Sequence, residues 1–139
     1  MTRTIRLSDG SRANKVDWEQ AQQVATELYA ALDLWRFNRV TVAGLSRGGA
    51  IAVLVAWILS PVIVERYAKA FAGKRVGNRK LMDGVHHSNT WYRGDIVPWL
   101  PFRYASYRGW MVVGDWKWPW DAHMDAAHTA ARWRHRIDH

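Results

Sequence analysis

The sequence predicts an α/β domain with a mainly parallel sheet flanked by helices. Two patterns carry the prediction. Candidate strands at 39–44, 85–93 and 110–113 alternate with candidate helices at 16–34, 50–59 and 122–136, the order of a parallel sheet with helical crossovers. The helix over 50–59 is apolar nearly all round, so it belongs in the middle of a domain. At 139 residues the chain is about one domain, read as 1–139 with a basic tail at 132–139.

The elements follow in chain order. Thr4 to Leu7 alternates weakly, as a short strand or an arm, and Asp9 to Lys15 (DGSRANK) is turn-like. Val16 to Leu34 is amphipathic: Val16, Ala21, Val24, Leu28, Ala31 and Leu32 recur at three- and four-residue steps, and Asn14 is a natural N-cap. Arg39 to Gly44 (RVTVAG) is β-branched and short, as a buried strand is. A Gly-flanked turn leads into the apolar helix, Ala50 to Leu59. Arg66 to Gly73 is ambiguous between strand and helix. Val85 to Arg93 and Trp110 to Val113 read as strands, and Ala122 to Arg136 as a helix running into the basic tail.

Composition narrows the function. Without cysteine there is no disulfide, thiolate metal site or cysteine nucleophile, and the redox compartment stays open. A net charge of +8 makes the surface attractive to phosphates, including those of an anionic membrane. The arginines are spread along the chain and no nucleic-acid motif is present, so no nucleic-acid partner is expected. Met1 to Gly10 has no apolar core of a signal peptide. The longest apolar run, Gly48 to Val64, falls short of the about 20 residues that span a bilayer, and Pro61 interrupts it. A cytoplasmic location is therefore the default expectation. Of ten tryptophans, about two in three are expected in the core or a pocket wall.

Gly44-Leu45-Ser46-Arg47-Gly48 matches G-x-S-x-G between a strand and a helix. A serine on so tight a turn points its hydroxyl into a site. The N–H of the next residue, Arg47, and the helix N-terminus then face the place where an oxyanion would form. Such a serine needs a base and an orienter, in the chain order Ser, then Asp or Glu, then His. Glu65, Asp83, Asp95, Asp115, Asp121, Asp125 and Asp138 follow it, as do His86, His87, His123, His128, His135 and His139, and order alone leaves the choice open.

Four blocks resemble the class 3 (fungal-type) lipase family of the α/β-hydrolase superfamily. Val42 to Ala50 (VAGLSRGGA) is similar to its V-x-G-H-S-L-G-G-A elbow. Phe71 to Asn78 (FAGKRVGN) is similar to F-G-x-P-R-V-G-N, Asp95 to Pro101 (DIVPWLP) to D-I-V-P-x-L-P, and Asp121-Ala122-His123 to the D-H or D-A-H near the family's end. The resemblance covers roughly Val16 to His128. It implies a reduced α/β-hydrolase-like fold, with Ser46 as nucleophile, Asp95 as triad acid, His123 as base and Arg47 N–H in the oxyanion hole. The implied activity is hydrolysis of carboxylic esters, lipids among them, through an acyl-enzyme and without a cofactor or metal.

Several departures qualify the resemblance. Leu45 and Arg47 replace the family's His and Leu around the serine. Arg47 is expected to point outward from the first helical turn. Gly73 and Lys74 replace a small residue and a proline, which should loosen that loop. The N-terminal side is shortened, and Ser8 and Ser11 are the only nearby candidates for a second oxyanion donor. One missing donor costs on the order of 10²–10³ in turnover. His128 is the rival base. A metal on Asp121, Asp125 and His128 matches no known zinc spacing. The alternative function is a catalytically inactive lipase-like domain that binds lipid or a protein partner. Expected partners are an ester or lipid substrate, peripheral contact with an anionic membrane through Trp133 and the tail, and a homodimer that pairs the sheet edge.

Overall fold

The computed structural model describes the backbone of residues 3–138 and the side chains of 3–134. Its elements run β1 (Thr4–Arg6), β2 (Arg12–Asn14), α1 (Lys15–Ala31), β3 (Arg39–Leu45), α2 (Arg47–Ile58), β4 (Glu65–Phe71), α3 (Arg79–Asp83), β5 (His86–Tyr92), β6 (Gly109–Val113) and α4 (Pro119–Asp138). Strands β3-β4-β5-β6 form one parallel sheet in that order, so each crossover steps to the next strand. β1 and β2 make a separate antiparallel hairpin. This is the predicted class, an α/β fold with a parallel sheet flanked by helices.

α2 forms the centre because its sequence leaves no polar face. Val53, Leu54, Val55 and Ala56 are fully buried between α1 on one side and β3 and β4 on the other. Small residues allow the close approach: a Cβ on Gly49 would stand 2.8 Å from Ala70 Cβ. Side chains alternate along a strand. Ala68 and Ala70 therefore face α2, and Phe71 faces the opposite side, where its ring meets Trp133 of α4 at 5.7 Å. The two helices thus cover opposite faces of the sheet. No helix among the described residues is long and apolar enough to cross a membrane.

α1 begins as predicted. Asn14 caps it, its side-chain oxygen accepting from Asp17 N at 3.1 Å. The buried face is different, however. Asp17, Ala21 and Ala25 are buried, whereas Val16, Val24 and Leu32 are exposed. The helix ends at Ala31, and Leu34–Arg36 forms a separate 3₁₀ turn. Residues 66–71 resolve as strand, and the tail at 132–138 continues α4 as helix. Trp133, partly exposed on that helix, packs against Phe71. The tryptophan expectation holds: Trp18 and Trp57 pack against the core, Trp91, Trp99 and Trp110 line one cavity and Trp133 another, whereas Trp35, Trp116, Trp118 and Trp120 are exposed.

His87 on β5 is half-buried and neutral by construction. Its Nδ1 donates to Val85 O at 2.7 Å, and its Nε2 accepts from Arg108 N at 2.9 Å. Burial, with smaller help from Arg79 and Arg108 against Val85 and Asp83, holds its pKa below the usual 6.5. As pH falls, the unfolded chain takes up this proton first. The stability that the neutral ring contributes is complete above about pH 6.5 and is lost as pH falls through the folded-state value. The urea midpoint should fall between about pH 7.5 and pH 5. His87→Gln should shrink that fall, and an equal fall in the variant would assign it to other groups.

Candidate active site

In a parallel sheet all strands end on the same side, and sites form outside those carboxyl ends. Ser46 follows β3 directly, the 72–75 loop follows β4, Asp95 lies three residues after β5, and α4 returns after β6. The topology thus gathers at one edge residues far apart in sequence.

Ser46 sits at φ 56°, ψ −117°, a left-handed conformation that a non-glycine residue adopts only under constraint. The constraint is visible. Ser46 N donates to Phe71 O at 2.9 Å, and Ser46 O accepts from Gly49 N at 3.0 Å and Lys74 N at 3.3 Å. A Cβ on Gly44 would stand 2.1 Å from Gly48 O, so the strand can meet the helix only at a glycine. Gly48 has open space around it, and the second close approach belongs to Gly49. Arg47 opens α2, and its N–H has no intrahelical acceptor, which leaves it free for an anion.

Asp95 and His123 are brought together. His123 Nδ1 lies 2.8 Å from Asp95 Oδ2, with the carboxylate side chain fully buried and the imidazole 19% exposed. Asp95 Oδ1 accepts from Val97 N at 2.9 Å, so both oxygens are held. With Nδ1–H donating, His123 Nε2 is left as the acceptor. The Ser46 hydroxyl makes no hydrogen bond to His123 among the described residues. His128 is exposed on α4 and does not reach Asp95, and the side chains of His135 and His139 lie outside the described residues. Asp125 of the suggested metal group pairs with Lys117, and no cluster among the described residues could hold a metal.

Two expectations fail here. Arg47 does not simply point outward: its Nε donates to Asp17 Oδ1 at 3.0 Å. The 72–75 loop is tightly held. Buried Asn89 accepts from Gly73 N at 2.9 Å and donates to Gly73 O at 3.0 Å. Tyr107 OH donates to Lys74 O at 3.0 Å, and burial, then the Asp17 charge, pushes its phenol pKa up so that it stays a donor. Asn89, Tyr107 and Asp17 are site-supporting residues without a local sequence signal. Ser11 offers no second oxyanion donor, because its hydroxyl is given to Asp9 Oδ2 at 2.9 Å, and Ser8 is exposed beside the hairpin turn.

A parallel sheet with a strand–serine–helix elbow at its carboxyl edge defines the α/β-hydrolase fold. The family model for lipase (class 3) matches residues 10–105, and the chain belongs to that family. The matched span holds Ser46 and Asp95 and ends before His123. No curated protein matches the chain. Among solved structures it is similar to lipase II from Rhizopus niveus, at 23% identity and TM-score 0.59 over 81% of this chain and 50% of that one. It is similar to the Rhizomucor miehei lipase propeptide complex, at 26% and 0.57 over 73% and 38%. It is also similar to nonglycosylated Yarrowia lipolytica LIP2 lipase, at 19% and 0.64 over 84% and 50%. The chain thus spans half or less of the length of these lipases.

Proposed function

We propose that the protein hydrolyses carboxylic esters of the lipid type through an acyl-enzyme on Ser46. The observation that carries this reading is the Asp95–His123 hydrogen bond at the same sheet edge as a serine held at φ 56°. Asp95 fixes the imidazole with Nε2 free to accept, the orientation a general base needs. His123 takes the Ser46 proton as Oγ attacks the ester carbonyl, and the Arg47 N–H stabilises the oxyanion. His123 then protonates the departing alkoxide, and a water it activates releases the acid. Serine–histidine bonds often tighten only when substrate is bound, which accommodates a Ser46 hydroxyl without a bond to His123 among the described residues.

The second reading, a lipase-like domain that binds without turnover, is favoured by that same lack of a Ser46–His123 bond among the described residues and by the commitment of Ser11 to Asp9. Turnover of a water-soluble p-nitrophenyl ester separates the two. Hydrolysis that falls by about 10²–10⁴ in His123→Gln supports the hydrolase. Absence of turnover by folded wild-type protein supports the binding domain.

A further inference from the structure

Asp17 is a buried carboxylate beside the Ser46 elbow that the proposed mechanism does not use. It sits in the first turn of α1, with its side chain 1% exposed. Its two oxygens are divided between the two residues that frame the elbow. Oδ1 accepts from Arg47 Nε at 3.0 Å, and Oδ2 from Lys74 Nζ at 2.5 Å. Arg47 follows the serine directly and carries the oxyanion N–H. Lys74 donates its backbone N–H to Ser46 O. Asp17 itself is anchored, because its N–H is fixed by Asn14, and Asn14 N donates to Val76 O at 2.8 Å.

Burying a carboxylate is a poor way to gain stability even when it is paired, as Asp17 is with the partly exposed Arg47 and Lys74, since well-packed apolar residues of the same volume usually do as well or better. Its value lies in fixing geometry. Here the geometry fixed is that of a strained serine. On this basis, and resting on the hydrolase reading above, we propose that Asp17 is a positioning residue: it ties Arg47 and Lys74 into one clamp that keeps Ser46 in its left-handed conformation and the Arg47 N–H facing the oxyanion. The clamp acts from outside the reacting atoms. It replaces the apolar neighbour that a leucine after the serine would provide with a charged tether reaching across to α1.

The test is Asp17→Asn, which keeps the size and most hydrogen-bonding capacity but removes the charge. The deciding readout is the crystal structure of the variant, which needs no activity. The expected result is that Arg47 and Lys74 separate from residue 17 and that Ser46 leaves the positive-φ region. Ser46 remaining near φ 56° with Arg47 in place overturns the proposal, whatever the rate. Where wild-type protein turns over ester, kcat per folded molecule should fall at least tenfold with KM little changed. A purely structural role would instead lower the melting temperature and leave kcat of the folded fraction intact. Wild-type protein inert to ester contradicts the hydrolase reading, and the crystal structure then judges the clamp alone. Should Asp17→Asn fail to fold, Arg47→Gln leaves Asp17 paired with Lys74 and is expected to release Ser46 in the same way, with an unmoved Ser46 again overturning the clamp.

Discussion

Gly44→Ala should prevent the elbow from closing, whereas Gly48→Ala should leave it intact and slightly stabilise the protein. The two glycines are equivalent in the motif but not in the fold. A methyl at Gly44 would lie 2.1 Å from Gly48 O and 2.2 Å from its carbonyl carbon. Both are backbone atoms in α2, the most buried helix, and a shift of that helix would disturb its contacts with β3, β4 and α1. Overpacking of this kind costs about 3 kcal/mol or more, a large share of the stability of a small domain. At Gly48 nothing lies within 4 Å of the added methyl, and the residue is helical. Alanine there gains helix propensity worth up to about 1 kcal/mol. Chemical unfolding of both variants checks the pair. Equal effects at the two positions would mean that the strand and helix do not meet as described.

Asp95→Asn should lower kcat by about 10⁴ while the protein stays folded. The carboxylate accepts from both Val97 N and His123 Nδ1. An asparagine can keep the first bond, but its amide can present NH₂ to the imidazole, which favours the opposite tautomer and leaves Nε2 carrying the proton. The base then cannot accept from Ser46. The fall should appear in kcat more than in KM, because the ground-state contacts of the substrate are unchanged. Steady-state ester kinetics with a melting curve in parallel checks it. A loss below tenfold would remove Asp95 from the reaction.

Much of this site was legible in the sequence because its signals are local. A glycine on each side of Ser46, a β-branched run before it and an apolar run after it specify strand, turn and helix within twenty residues. Asp95 and His123 were legible only through resemblance, since six other acids and five other histidines follow the serine. The supporting residues were not legible at all. Asp17 is buried only because Arg47 and Lys74 arrive from 30 and 57 residues away. Helical periodicity did not single it out, and it placed Val16 and Val24, which are exposed, on the apolar stripe of α1. Lys74 looked like a loosening substitution until Asp17, Tyr107 and Ser46 were seen around it. α3 is five residues long, too short for a periodic signal, and only the Asn78 cap on Leu81 N marks it. Residue type gave the share of tryptophans against the core or in cavity walls, but which of them lie there depends on what covers the sheet.

The proposed hydrolysis stands on Ser46 being an activated nucleophile. The most direct test is labelling of the purified protein with a fluorophosphonate probe, beside Ser46→Ala and confirmed by mapping the modified peptide. Rapid labelling at Ser46 that disappears in the variant is expected. Well-folded protein that resists the probe, or labelling that survives Ser46→Ala, would contradict it.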